Sequence, residues 1–198
     1  MQIKAIELRP KNPFTWASGI KSPIYCDNRV ILSHPTVRDF VRANLSIQII
    51  KKFNNVEIIA GVATGAIGIA SLVAQELNLP MIYVRSSAKG HGRQNLIEGH
   101  LEKGKKIVVV EDLISTGMSS IKAVNSIKEA GGNVIGMSAI FTYGFNISKD
   151  VFKEKDCELI TLSDYNHLIS CVKENETFKP EETLALETWS KNPEAWKP

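Results

Sequence analysis

Apolar residues recur at helical spacing in several segments of the chain and form short unbroken runs in others. Between residues 35 and 53, apolar residues stand among arginines, lysines and an aspartate; they are Val37, Phe40, Val41, Leu45, Ile47, Ile49 and Ile50. This period of about 3.6 residues predicts an amphipathic helix with one face toward a core.

The remaining pattern alternates strands with helices. Strands are expected at a run ending near Ala60 and at residues 80 to 85, 107 to 112, 133 to 143 and 157 to 162. Helices are expected at residues 66 to 77, 118 to 130 and 147 to 154, from Ser163 onward, and at 180 to 190. Continuous Val/Ile/Leu runs are typical of strands buried on both faces, so the pattern predicts an α/β fold with a central parallel sheet flanked by helices.

One segment breaks the alternation. Residues 86 to 97, "SSAKGHGRQNLI", contain glycines and cations and have no hydrophobic period. A connection of this length and composition is more typical of a functional loop than of a simple link, and we expect a mobile lid.

Length and charge narrow the class of protein. A chain of 198 residues with 43% hydrophobic and 23% charged residues suits one globular core, and we expect a single domain over residues 1 to 198. The net charge is +3 and no long run of like charges is present. Acidic small molecules are therefore more plausible partners than nucleic acid.

The three cysteines are widely spaced, which favours neither a disulfide framework nor a zinc site and fits a reducing cytoplasm. No stretch reaches the roughly 18 apolar residues of a membrane span, and the first residues lack the apolar core of a signal peptide. No membrane association is expected.

Small and hydroxylated residues at 115 to 120, "STGMSS", lie between a predicted buried strand and a predicted helix. Such a loop turns backbone N–H groups and the positive end of a helix dipole toward one point, where a phosphate would fit. The alternative is that Ser115 or Thr116 only caps the helix. That alternative accounts for one hydroxyl and not for Ser119 and Ser120 as well.

Two carboxylates, Glu111 and Asp112, stand directly before this loop. A dinucleotide fold would place G-x-G-x-x-G first and the acid later, and a nucleoside-triphosphate loop would end in Gly-Lys-Ser or Gly-Lys-Thr. Neither pattern fits. An acidic pair that binds sugar hydroxyls beside a phosphate loop suits a ribose 5-phosphate. A second loop, residues 61 to 66, follows another predicted strand; it could bind a second anionic group or only allow tight packing.

Three segments together resemble a known family. "IVVVEDLISTGMSS" is similar to the phosphoribosyl pyrophosphate signature of type I phosphoribosyltransferases, and "RSSAKGHGRQNLIEG" resembles the mobile catalytic loop of their orotate-specific branch. "FTWASGIKSPIYCDNR" resembles the base-binding segment of the same branch. The resemblance covers about residues 7 to 145. It implies a type I phosphoribosyltransferase fold in which residues 1 to 34 contribute a small hood and residues 86 to 97 form the catalytic loop.

The resemblance also implies an activity, the transfer of a phosphoribosyl group from 5-phosphoribosyl 1-pyrophosphate to orotate, in the cytoplasm and with Mg²⁺ held mainly through substrate and water. Catalytic roles fall on Arg85, Lys89, His91 and Asp112. Phosphoribosyl pyrophosphate would be bound by these four and by Thr64, Glu111, Leu113, Ile114, Ser115, Thr116, Gly117, Met118 and Ser119. Orotate would be bound by Lys21, Tyr25 and Ser115. The family further implies a homodimer whose lid residues act in the neighbouring subunit's site.

Departures from the family pattern leave questions open. Many members have lysines where Ala17 and Ser86 stand here, and many have an arginine in the region that reads "FTYGF". The partner of the orotate carboxylate is therefore not assigned. The alternative functions are those of a purine phosphoribosyltransferase and of a regulator with the same fold that senses phosphoribosyl pyrophosphate.

Overall fold

The computed structural model describes residues 2 to 16, 19 to 87 and 96 to 197. The strands are β1 (Ile6–Leu8), β2 (Phe14–Thr15), β3 (Lys21–Ser22), β4 (Ile24–Cys26), β5 (Ile58–Val62), β6 (Met81–Val84), β7 (Ile97–Glu98), β8 (Lys106–Ile114), β9 (Asn133–Thr142) and β10 (Leu159–Asp164). The α-helices are α1 (Pro35–Lys52), α2 (Ile67–Leu77), α3 (Met118–Glu129), α4 (Asn146–Glu154), α5 (Tyr165–Glu174) and α6 (Pro180–Lys191), and a 3-10 helix spans Asn28–Ser33. Every strand and helix expected after residue 35 is present, with ends shifted by one to a few residues.

A six-stranded sheet forms the centre, in the order β10-β9-β8-β5-β6-β7. Its first five strands are parallel, which confirms the predicted α/β fold, whereas β7 pairs antiparallel with β6. The sequence analysis did not predict β7, because two residues are too few for a period. The unpatterned segment therefore ends before Ile97, which pairs with Val84.

Both faces of the sheet are buried, as the unbroken apolar runs require. On β8, Val108 and Val110 pack into a core formed with α1 and α2, while Ile107 and Val109 pack into a core formed with α3 and α4. The alternation follows from the two-residue period of a strand. Consecutive side chains at the end of β8 therefore lie on opposite faces.

The chain's two ends meet at the carboxyl edge of the sheet. β1 pairs with β4 and β2 with β3, forming two small antiparallel sheets. Ile24 of β4 and Trp189 of α6 are fully buried in one cluster that also contains Tyr143. The hood expected from the N-terminal residues thus packs directly on the C-terminal helices. Among the described helices, none combines the length and the apolar composition of a membrane span.

Candidate active site

The ends of three neighbouring parallel strands bring the predicted site residues to one edge. Val110 of β8 is paired with Gly61 of β5, and Val62 of β5 with Val84 of β6. Asp112 and Arg85 therefore stand level with the turn that follows β5. Ligands of open α/β sheets bind at this edge, beyond the carboxyl ends of the strands.

The two acids of the pair have different surroundings. Glu111 is buried; its Oε2 accepts a hydrogen bond from Ser120 Oγ at 2.9 Å and its Oε1 accepts one from the Asp112 N–H at 3.1 Å. Burial, with the neighbouring Asp112 as a further cause, raises the pKa of Glu111 well above its usual value. Burial and two hydrogen bonds therefore fix the position of the Glu111 side chain.

Asp112 is partly exposed on the opposite face of β8. Its carboxylate lies against Gly65, where an added Cβ would collide with Oδ2. Its backbone carbonyl accepts a hydrogen bond from Asn28 Nδ2 at 2.6 Å. Asn28 is buried and lies near the end of the base-binding segment, so this bond ties that segment to the acidic pair.

Strand β8 continues through Leu113 and Ile114, two residues beyond its expected end, so the phosphate loop follows directly from Ser115. The Ile114 side chain is fully buried, and its carbonyl accepts the N–H of Tyr143 at 3.0 Å. Leu113 is partly exposed. Neither the side chain nor the carbonyl of Ile114 is therefore available to a ligand.

Gly117 begins α3 in the left-handed conformation, with φ +79°, and no side chain caps the helix. The cap-only alternative is therefore wrong. Thr116, Met118 and Ser119 are exposed and Ser115 partly so, leaving their polar groups available to a phosphate at the helix N-terminus. The expectation that the Ser120 hydroxyl faces the phosphate is wrong, because this hydroxyl is buried and donates to Glu111.

Thr64 lies in the turn after β5 with its side chain exposed, and the peptide bond between Ala63 and Thr64 is cis. This turn is at the same sheet edge as the phosphate loop, as the second-loop hypothesis requires. Tight packing also operates there, because a Cβ at Gly61 would stand 2.9 Å from that of Ala70. Both roles proposed for residues 61 to 66 are compatible with this geometry.

An aromatic pocket of about 390 Å³ adjoins the phosphate loop. It is lined by Phe14, Thr15, Trp16, Tyr25, Cys26, Leu113, Ser115 and Tyr143. The sequence analysis selected Tyr25 and Ser115 for orotate, and both are in this lining. Leu113 and Ser115 connect the pocket to the segment that carries the acids and the phosphate loop.

Two further groups near the pocket have defined environments. Lys21 does not line the pocket; its ammonium donates to Thr15 Oγ1 at 2.7 Å, and Thr15 does line the pocket.

Burial, followed by the nearby Asp112 and Asp27 charges, raises the pKa of the Cys26 thiol to about 12. Cys26 is therefore a neutral wall of the pocket and not a nucleophile.

Arg85 marks the start of the lid segment. Its N–H donates to the Leu96 carbonyl at 2.8 Å, and its Nη1 lies 3.5 Å from Glu98 Oε1. Lys122 of α3 donates to the Ser86 carbonyl at 3.1 Å. The predicted catalytic residues Lys89 and His91 lie outside the described residues.

Sequence reasoning missed the residues that build the pocket behind Tyr25. Phe14 and Trp16 were within the quoted base-binding segment, and their aromatic character was the available signal. Tyr143 and Asn28 carried no such signal, because their roles depend on contacts between segments far apart in the chain.

Comparisons with known proteins identify the family of this chain. The model of the phosphoribosyl transferase domain family matches residues 31 to 174. An orotate phosphoribosyltransferase of Phocaeicola vulgatus is 52% identical over 197 residues, covering 100% of this chain and 93% of the relative. One of Listeria innocua is 50% identical over 196 residues, covering 99% of this chain and 94% of the relative.

The fold is also found among solved structures. The crystal structure of orotate phosphoribosyltransferase from Aeropyrum pernix matches with a TM-score of 0.76 at 25% identity, covering 90% of this chain and 96% of that one. By the family match and by full-length identity to its relatives, the chain belongs to the phosphoribosyltransferases and, within them, to the orotate phosphoribosyltransferase family.

Proposed function

We propose that this protein transfers the phosphoribosyl group of 5-phosphoribosyl 1-pyrophosphate to orotate, giving orotidine 5'-monophosphate and pyrophosphate for pyrimidine biosynthesis. The observation that carries the proposal is the junction of an aromatic pocket with a phosphate loop and an acidic pair. Ser115 belongs to both the pocket and the loop. A flat base and a ribose 5-phosphate could meet there.

The donor would lie along the carboxyl ends of β8 and β5. Residues 115 to 119 at the N-terminus of α3 would hold the 5-phosphate through N–H and hydroxyl donors. Asp112 would accept hydrogen bonds from the ribose hydroxyls, and Glu111 would stand behind it. As the bond from C1 to pyrophosphate breaks, the sugar gains positive charge, which nearby carboxylates stabilise.

The acceptor would stack in the aromatic pocket. Phe14 and Tyr25 form a tilted ring pair with centroids 5.5 Å apart, an arrangement that offers apolar faces to a planar ring. Lys21, next to Thr15, is the cation we assign to orotate. Burial around the ring strengthens each polar contact that orients it.

Magnesium fits this site as a metal shared with the substrate. The described part of the chain has no group of three or more His, Cys, Asp or Glu that could hold a metal by itself. Mg²⁺ commonly keeps several waters and binds through one or two carboxylates plus substrate phosphates. Asp112, as the accessible carboxylate, would be its protein contact, and the ion would supply positive charge to the departing pyrophosphate.

The lid would complete the site. Arg85, Lys89 and His91 would meet the negative charge that develops on pyrophosphate, and closure over the substrates would exclude water. We propose that these residues act across a homodimer. Support for an oligomer comes from α1, where Phe40, Ile47 and Ile50 are large apolar residues at least half exposed.

We also propose a cytoplasmic location. The support comes from the cysteines: Cys26, Cys157 and Cys171 are all free thiols, as suits a reducing compartment.

The test of the proposed function is an acceptor panel. Purified protein is incubated with phosphoribosyl pyrophosphate, Mg²⁺ and orotate, adenine, hypoxanthine or xanthine in separate reactions, and nucleotide formation is followed. We expect a nucleotide from orotate only. Turnover of a purine without turnover of orotate would overturn the proposal.

A further inference from the structure

Trp189 of α6 forms the back wall of the aromatic pocket without lining it. Its side chain is fully buried, and its ring packs edge-on against Trp16 and Tyr143, each with ring centroids 5.7 Å away. Trp16 and Tyr143 both line the pocket. The orientation of two lining rings therefore depends on a residue of the last helix.

A hydrogen bond adds a second connection. The indole Nε1–H of Trp189 donates to the backbone carbonyl of Lys21 at 3.2 Å, across 168 positions of sequence. Lys21 begins β3, which pairs with β2 through Thr15 and Lys21. The indole thus holds the hairpin that carries Phe14, Thr15 and Trp16 into the pocket.

These contacts join segments outside the general family domain. The family match spans residues 31 to 174, whereas α6 and the β2–β3 hairpin lie beyond its two ends. The donor site, from Thr64 to Ser119, lies inside the match. The N-terminal segment therefore supplies five of the eight lining residues of the acceptor pocket, and α6 supports them from behind.

We propose that Trp189 is a positioning residue that sets affinity for the acceptor base and leaves binding of the donor unaffected. The inference rests on the proposed function, because it takes the aromatic pocket as the orotate site. Trp189 acts through Trp16, Tyr143 and the Lys21 carbonyl, and touches no substrate itself.

The experiment compares two variants that each remove one hydrogen bond between α6 and the rest of the chain. Trp189→Phe removes the bond to the Lys21 carbonyl. Tyr165→Phe removes the bond from the Tyr165 hydroxyl to the Leu186 carbonyl, 3.1 Å long, and is the matched control. Steady-state KM values for orotate and for phosphoribosyl pyrophosphate are measured for both, well below the temperature of unfolding.

For Trp189→Phe we expect the KM for orotate to rise about five- to tenfold, the equivalent of one lost hydrogen bond, with the KM for phosphoribosyl pyrophosphate unchanged. Tyr165→Phe should lower thermal stability and leave both KM values as in the wild type. An unchanged KM for orotate in folded Trp189→Phe, or equal rises for both substrates, would overturn the inference.

A second variant keeps the test valid if Trp189→Phe does not fold. Phe145→Leu removes a ring that packs edge-on against Trp189, with centroids 5.6 Å apart, and stacks on Tyr143 at 5.4 Å, so it loosens the contact between Trp189 and Tyr143. Phe145 itself does not line the pocket. It should also raise the KM for orotate selectively, and failure to do so would overturn the inference. Wild-type protein that turns over no orotate would instead refute the proposed function, so the two failures are distinguishable.

Discussion

At the scale of single residues, the acidic pair is asymmetric. Glu111 is buried under α3 and held by two hydrogen bonds, while Asp112 is partly exposed on the other face of β8. Two successive acids in a strand necessarily point in opposite directions. The exposed member is suited to contact a ligand, and the buried member to fix the geometry behind it.

Burial of Glu111 predicts a cost in stability that depends on pH. Because its pKa is raised in the folded state, the unfolded chain loses this proton first as pH rises, and stability falls from the ordinary carboxyl pKa up to the raised value. Glu111→Gln removes the titrating carboxyl and therefore abolishes this fall in stability with pH. Urea unfolding should show the variant close to the wild type at pH 4 and more stable than it at pH 8, with activity reduced.

The opposite trend would contradict this assignment. If the stability difference between Glu111→Gln and the wild type were independent of pH, the carboxyl would not titrate differently in the two states. Glu57→Gln is the control of opposite sign: hydrogen bonds from the Lys106 N–H and from Lys105 lower the pKa of Glu57, so this variant should be less stable than the wild type at pH 8.

Sequence reasoning at this scale found the residue types and not their partners. The hydroxyls of residues 115 to 120 were visible in the sequence, but the inward turn of Ser120 toward Glu111 was not. That contact depends on how α3 packs over β8. The bond from Asn28 to the Asp112 carbonyl, 84 positions apart, has the same origin.

At the scale of elements, the loop that opens α3 depends on one backbone conformation. Gly117 has φ +79°, and a Cβ there would stand 2.8 Å from Phe152 Cε2. Left-handed backbone is costly for residues with a Cβ, and the contact with Phe152 adds to that cost. The position therefore favours glycine for both reasons.

Gly117→Ala should destabilise the fold by about 1 to 2 kcal/mol and raise the KM for phosphoribosyl pyrophosphate more than that for orotate. Gly104→Ala is the matched control, because Gly104 has the same φ of +79° with nothing within 4 Å of an added Cβ. Denaturant unfolding and steady-state kinetics check both variants. A selective rise in the donor KM for Gly104→Ala as well would contradict a local role for Gly117.

Long elements could be predicted from sequence, and short ones could not. α1 and β9 carry enough residues to show a helical or a buried-strand pattern, and their bounds are close to those expected. β7 has two residues and its position depends on pairing with β6. The packing of α6 on the N-terminal hairpin likewise follows from tertiary contacts that no local pattern records.

At the scale of the whole molecule, the proposed dimer has a candidate contact face on α1. Phe40, Ile47 and Ile50 are 69%, 50% and 53% exposed. Phe40→Glu should shift the protein toward monomer and lower activity in parallel, as measured by sedimentation and turnover. Leu184→Glu is the control, since Leu184 is 61% exposed on α6, and it should change neither.

A shared active site predicts complementation between inactive chains. Lys89→Ala and Asp112→Asn each remove one part of the site, so a mixed dimer has one interface with both parts intact. After verified subunit exchange, the mixture should regain partial activity. No recovery would argue that the lid serves its own subunit.

The central claim is that this chain itself catalyses phosphoribosyl transfer to orotate at the Asp112 site. The most direct measurement follows orotidine 5'-monophosphate and pyrophosphate together, from orotate, phosphoribosyl pyrophosphate and Mg²⁺, for the wild type and for Asp112→Asn. We predict equimolar appearance of both products and a fall in rate of about a hundredfold or more in the variant, the scale expected when stabilisation of transition-state charge is lost. Absence of the nucleotide product, or an equal rate in both proteins, would contradict the account.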